Sequence, residues 1–410
     1  MELGRQWAAW AATVALGVAA AGGPAGAQPQ RVSDGVVRIG VLTDMTGALS
    51  DLSGAGSVTA VRMAVEDYGG KVLGRPVEVV DADHQNKPDV AANRAREWFD
   101  VQQVDMVTDL TNSAVALAVV GLARDKGRVA IVNGAGTVRL SNDACTPNGI
   151  HYAWDTYAMA NSTARAIVRN GGTSWYFLTA DYAFGHQIEK DVSDVVRSQG
   201  GTVAGSSRHP FNASDFSSFV VSAQGSKAKI VGLANGGTDT MNAIKAARDF
   251  GLIDAGQQLA GLSVFITDIH GVGLQLAQGL LMTEAFYWDL DDATRKWSRR
   301  YFERMKKMPT AIQAANYSST MHYLKAVEAA GTDAPDAVVA KMKATRIDDF
   351  FARGGTIRAD GRMVHEMYLV RVKKPSESKY PWDYYQVVAK VPGDEAFQPL
   401  SRSACPLVKR

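Results

Sequence analysis

The apolar run Arg128-Val-Ala-Ile-Val132 leads into Asn133-Gly-Ala-Gly-Thr137, two glycines and an alanine standing between a strand and a threonine. Small residues let a backbone approach a ligand closely and leave N–H groups free to hold an anion without a large side chain. Taken alone, Gly-Ala-Gly is a tight turn; it becomes a site only if the rest of the chain builds around it. Other chemistry is thinly represented. There is no dinucleotide-type Gly-x-Gly-x-x-Gly, no P-loop lysine motif, no His-Glu-x-x-His and no Gly-x-Ser-x-Gly. The seven histidines (His84, His151, His186, His209, His270, His322 and His365) include no metal-spaced pair. Asp81 and Asp83 in "DADHQN" could act as acid–base carboxylates or Mg²⁺ ligands, but capping the next loop is the more economical role. These observations predict a binding protein without enzymatic activity, metal or cofactor.

The elements that must position such a site follow from periodicity. "VVRIGVL", "VEVVDAD", "VDMVTDL" and "RVAIV" read as strands, each followed by a helical pattern such as "SVTAVRMAVEDYGG" or "NSAVALAVVGLARDKG". After His151 the alternation restarts with "SWYFLTAD", "TVAGSSR", "KIVGLAN", "QQLAGLSVF" and "GLLMTEAFYW". Repeated strand–helix units predict α/β architecture with parallel sheets covered on both faces. Two later segments read as helices, and an Asp-Gly turn at Asp360-Gly361 between extended runs signals a hairpin. The basic run "RKWSRRYFERMKK" spreads around a helix with Trp297 and Phe302 inward, a solvated face and not a nucleic-acid stripe.

Composition sets the outer limits. Residues 1–27 carry Arg5, an apolar run from Trp7 to Ala21, and Ala25-Gly26-Ala27, the plan of a cleavable secretory signal; the run is short for a membrane anchor. The remaining 383 of 410 residues favour two domains. A net charge of +2 offers no footing for nucleic acid or an anionic membrane surface. Cys145 and Cys405 lack metal-site company, and in an oxidising compartment they read as one disulfide, the alternative being two buried free thiols.

"VRIGVLTDMTGALSDLSGAGSVTAVRMAVEDYGG", "TADYAFGHQIEKDV" and "NGGTDTMNAIKAARDFGL" together resemble the periplasmic solute-binding proteins of ABC importers, of the branched-chain amino acid (Leu/Ile/Val) type. The resemblance spans the chain after the signal and implies the type I periplasmic-binding-protein fold: two Rossmann-like, doubly wound α/β lobes joined by three hinge crossings. Carried onto this chain, residues 33–153 plus 286–350 would form the first lobe and 154–285 plus 351–410 the second, with crossings near Trp154, Phe286 and Phe350. It implies a periplasmic protein, expected to be monomeric, that closes on a small ligand and serves a membrane permease with its ATPase. A sensor module of the same fold is the alternative; the absence of a hydrophobic helix after the last strands favours transport. The family holds its ligand's carboxylate on first-lobe loops, and the matching positions here are Asn112, Ser113, Gly134, Ala135, Gly136 and Thr137. Tyr182 and Phe184 in "DYAFG" match its aromatic position. Phe286, Tyr287 and Trp288, at the second crossing in "AFYW", either contact ligand or pack in the core, and strand alternation would turn at least one of the three inward.

The departures narrow the ligand. The glutamate with which the amino-acid binders pair the ligand ammonium is replaced by Leu262-Ser263 in "GLSVF". A buried ammonium without a counter-charge is costly, so a zwitterion is disfavoured. The family's second-lobe tyrosine is also missing: Gly236 stands there beside Asn235, which predicts a larger pocket. The expected ligand is a carboxylate lacking an α-ammonium, such as an aromatic or other bulky acid. Asp268 is the candidate for a relocated ammonium partner, which would keep amino acids or amides as ligands.

Overall fold

The computed structural model describes residues 32–409, so the secretory signal expected over 1–27 lies outside the described residues. The chain begins with β1 (Val37–Thr43), α1 (Gly54–Tyr68), β2 (Lys71–Val72), β3 (Arg75–Asp83), α2 (Pro88–Asp100), β4 (Met106–Asp109), α3 (Ser113–Asp125), β5 (Val129–Val132) and β6 (Gly149–His151). These strands form one sheet in the order β2-β3-β1-β4-β5-β6, parallel except for the β2–β3 hairpin. β4 and β5 are buried along their whole length, as expected of strands covered by helices on both faces.

Helix α4 (Thr156–Met159), a π-helical turn at Ala160–Ala164 and α5 (Arg165–Arg169) lead to β7 (Ser174–Ala180), α6 (Ala183–Ser198), β8 (Thr202–His209), α7 (Ser217–Gly225), β9 (Ile230–Ala234), α8 (Thr238–Asp249), β10 (Gln258–Gly261), α9 (Ile266–Val272), α10 (Leu274–Ala277) and β11 (Leu281–Glu284). Next come α11 (Asp292–Met305), α12 (Ala311–Ala330) and α13 (Pro335–Ala344), of which α11 and α12 pack against α1. The chain finishes with β12 (Ile347–Asp348), β13 (Arg353–Ile357), β14 (Met363–Val364), β15 (Met367–Val372), β16 (Tyr385–Val391) and α14 (Gly393–Ala396). The second sheet runs β16-β15-β11-β10-β9-β7-β8; β15 and β16 add an antiparallel edge to a parallel core. The Asp360-Gly361 turn joins β13 to β14, where Thr356 faces Val364, so that hairpin signal is realised in a small separate sheet. No helix among the described residues is long and apolar enough to cross a membrane.

The chain passes between the two sheets after β6, after β11 and after α13, and one ring touches all three passages. Phe351 lies 6.0 Å from the Tyr152 ring, 6.3 Å from Phe286 and 5.2 Å from His365. Beside it Arg362 is fully buried and donates to the carbonyls of Trp154 (2.9 Å), Tyr152 (2.5 Å) and Met363 (2.9 Å). Its guanidinium faces Asp155 at 3.4 Å and lies 4.5 Å over the Phe397 ring. Burial pulls it down to about 10, which leaves it charged at neutral pH.

For Phe286 and Trp288 the structure takes the core-packing side of the expectation. β11 stops at Glu284, so strand alternation does not govern residues 285–288, and all four are buried. Phe286 packs edge-on against Trp297, Phe350 and stacks near Phe351, while the Trp288 Nε1 donates to the Trp382 carbonyl at 3.0 Å. Both rings serve the junction between the lobes and neither lines the cleft.

The two cysteines form a disulfide, with Cα atoms 5.7 Å apart. It fastens the C-terminal tail to the segment before β6, and hydrogen bonds flank it: the Ser403 hydroxyl donates to the Ser141 carbonyl at 2.9 Å and the Ala404 N–H to Asn142 Oδ1 at 2.8 Å.

Candidate functional site

Strand ends and helix starts converge between the lobes, where an open α/β sheet is expected to bind ligands. From the first lobe the cleft is lined by Thr111, Gly134 and Gly136, with Leu49, Leu52 and Ile312, and Trp154 joins them from the first passage between the sheets. The second lobe supplies Tyr182, Phe184, Gly236, Ser263 and Phe265. None of these side chains carries a charge.

The two glycines of "NGAGT" are there for packing as much as for approach. A Cβ on Gly134 would stand 2.5 Å from the Thr111 Cα, and one on Gly136 would stand 2.5 Å from the Trp154 indole. Neither glycine has a positive φ, so the requirement is space and not backbone freedom. The unusual backbone lies opposite: Asp109 and Leu110 hold φ of 76° and 55°, a region non-glycine residues seldom occupy. The N–H groups of Asn133 (3.2 Å) and Gly134 (2.8 Å) both donate to the Asp109 carbonyl and hold it there. A Gly134→Ala change, with backbone as its nearest obstacle, is expected to cost about 1–3 kcal/mol, measured as a lowered urea midpoint at unchanged slope.

Behind the loop lies a buried polar network that links three elements of the first lobe. Asn316 of α12 donates to Asp109 Oδ1 at 3.1 Å, and Asn133 donates to Asn316 Oδ1 and Ser319 Oγ, each at 3.0 Å. The Thr111 hydroxyl donates to Ser53 Oγ at 2.6 Å. Burial pushes the Asp109 carboxyl up to about 6, against the opposing pull of side-chain hydrogen bonds from Thr43, Asn316, Thr111 and Ser57.

The other expected residues divide clearly. Asn112 caps α3, accepting from the N–H groups of Ala114 (2.9 Å) and Val115 (3.3 Å), and Ser113 Oγ accepts from the Thr137 N–H at 3.3 Å. Asn112, Ser113 and Thr137 thus stand one layer behind the cleft wall, with Ala135 buried between the two lining glycines. Asn235 is a correction: its Nδ2 meets His209 Nε2 at 3.1 Å and its Oδ1 accepts from Thr240 at 2.7 Å, so its amide is consumed inside the second lobe. Asp268 is half occupied: its Oδ2 accepts from the Phe265 N–H at 2.9 Å at the start of α9, its buried Oδ1 meets no protein donor, and burial pushes the carboxyl up to about 7. Gly236 lines the cleft without enlarging it, because Leu49 of the opposite lobe reaches to 3.9 Å of where its Cβ would be. Asp83, by contrast, caps as expected, accepting from the N–H of Gln85 at 2.7 Å and from the Thr46 hydroxyl at 2.8 Å.

Five lining residues were not expected from the sequence: Leu49, Leu52, Thr111, Phe265 and Ile312. Trp154, expected only as a crossing residue, packs edge-on against Phe184 at 5.8 Å and Phe265 at 5.6 Å, and so ties the lobes' aromatic walls together. The lobes are shut, with the Thr238 N–H donating to the Ala48 carbonyl across the cleft at 3.1 Å and the Thr238 hydroxyl at 3.3 Å. In this conformation the cleft closes to about 20 Å³. Among the described residues, several neutral donors at or beside it meet no protein acceptor: the N–H groups of Ala135 and Gly136, the Trp154 indole N–H and the hydroxyls of Tyr182 and Ser263.

Comparison with known proteins accords with this architecture. The family described as "periplasmic binding protein" matches residues 36–379. No curated protein matches the chain. A periplasmic binding protein from Burkholderia mallei is 54% identical, with a TM-score of 0.90 over 92% of this chain and 100% of that one. A branched chain amino acid ABC transporter periplasmic ligand-binding protein from Burkholderia xenovorans is 40% identical, with a TM-score of 0.81 over 90% and 99%. A solute-binding protein of an ABC transporter from R. palustris, solved in complex with benzoate, shares the fold at 20% identity, with a TM-score of 0.80 over 90% and 99%.

Proposed function

The chain belongs to the periplasmic binding protein family and is the substrate-binding protein of an ABC transporter, and from that premise we propose that it captures a small carboxylate lacking an ammonium group. The observation that carries this reading is a cleft with no charged side chain but several neutral N–H and O–H donors that meet no protein acceptor. Such donors suit an anion, since hydrogen bonds to a charged acceptor are the stronger ones. A zwitterion would leave its ammonium in an apolar enclosure made by Leu49, Leu52, Phe184, Phe265 and Ile312 without a counter-charge. The aromatic walls favour a flat acid of the benzoate kind, and the benzoate-bound R. palustris protein shows that this fold accommodates one.

The ligand bridges two lobes that swing about the three crossings, and the shut form is what a permease with its ATPase would engage. Calorimetry on refolded, ligand-stripped protein is expected to show benzoate-type acids binding and leucine silent. Leucine binding with silent aromatic acids would overturn the proposal. Ser263→Ala is expected to weaken the acid by ~1.5 kcal/mol, about tenfold, through loss of a hydroxyl donor to a charged acceptor.

A further inference from the structure

A second cavity lies at the opposite edge of the second sheet, where β9, β10 and β11 begin. Ile230, Gln258 and Leu281 mark those strand starts in its wall, against the ends of α5 and α8 and against α10. Its volume is about 400 Å³, within the ~300–1,000 Å³ usual for small-molecule sites. Ligands of open α/β sheets belong at the carboxyl ends of strands, so this amino-end cavity is no part of the cleft.

Its lining has a definite chemistry. Ile167, Ile230, Ile244, Ile253, Leu259 and Leu276 give it an aliphatic body with no aromatic ring, and the amides of Asn170, Gln258 and Gln278 stand in its wall. One cation lines it, Arg248, and no acidic residue does. The Arg248 Nε donates to the Leu276 carbonyl at 3.1 Å, which fixes the guanidinium plane, and no carboxylate lines the cavity to pair with its Nη atoms. An aliphatic pocket with a single oriented guanidinium matches a molecule with a flexible apolar chain and one anionic head. We propose that this cavity is a second ligand site, binding an alkyl carboxylate with its chain among the isoleucines and its head on Arg248.

The test uses the ligand-stripped mature protein with decanoate as probe and decanol as the uncharged comparison. Calorimetry is expected to show decanoate binding at least fivefold tighter than decanol. Arg248→Gln should weaken decanoate about tenfold and leave decanol unchanged. A diazirine-bearing decanoate analogue, photolysed on the unmodified protein, should label the α8–β10 segment around Arg248 and Ile253. Absence of decanoate binding, equal affinity for decanol, equal loss of both in the variant, or labelling confined to the cleft segment around Tyr182 would each overturn the site. The labelling and the decanol comparison need no variant, so the outcome does not depend on whether Arg248→Gln folds.

Discussion

Replacing Arg362 by methionine is expected to lower the stability of the protein by about 3–5 kcal/mol, the cost of removing one partner from a buried charge pair. The change leaves Asp155 buried, with only the Ala158 N–H at 2.8 Å to satisfy it, and frees the carbonyls of Tyr152 and Trp154. It also strips the cation from the Phe397 face. Because Trp154 both anchors the first passage and walls the cleft, ligand affinity should fall with stability, unlike the effect of a core truncation remote from the passages. Urea denaturation with and without ligand measures both quantities. Adding Asp155→Asn should recover part of the loss, since it removes the stranded charge; a double variant no better than the single one would mean that the guanidinium acts through its hydrogen bonds to carbonyls alone.

Substituting both Cys145 and Cys405 by alanine is expected to cost about 2–5 kcal/mol. The bond closes a loop of 260 positions, and longer loops restrict the unfolded chain more. The tail should nevertheless stay docked, because its hydrogen bonds to Ser141 and Asn142 and the Asn142–Gln398 contact at 2.9 Å do not depend on the sulfurs. The expected result is a lower denaturation midpoint with an unchanged circular dichroism spectrum. A midpoint within the error of the parent would show that the bond does not restrict the unfolded chain measurably.

How far the residues themselves announced this structure depends on the range of the interaction. The order of strands and helices was legible because apolar periodicity is local, and β4 and β5 declare burial on both faces by being apolar throughout. "NGAGT", "DYAFG" and the Gly236 loop reach the cleft because they follow strand carboxyl ends, a position set by connectivity. Leu49, Leu52 and Ile312 were invisible, since they arrive only when the lobes meet, and no local pattern encodes that meeting. Asn235 stood at the right loop but its amide is taken up by His209 and Thr240, and one oxygen of Asp268 by the Phe265 N–H, which only coordinates reveal. "AFYW" misled because β11 ends at Glu284, before Ala285 and the aromatic residues, and the alternation rule has no authority beyond a strand.

The hydrogen bonds from Thr238 to the Ala48 carbonyl bear on timing. They join backbone and hydroxyl groups that do not involve cargo, so the two jaws can clasp each other on their own account. Thermodynamically that helps a solute, which need not supply the work of bringing the jaws together. Kinetically it is a bolt, since the jaws must part before a solute can pass between them. Uptake would then run at the pace of unbolting, levelling off as solute is added instead of climbing with it.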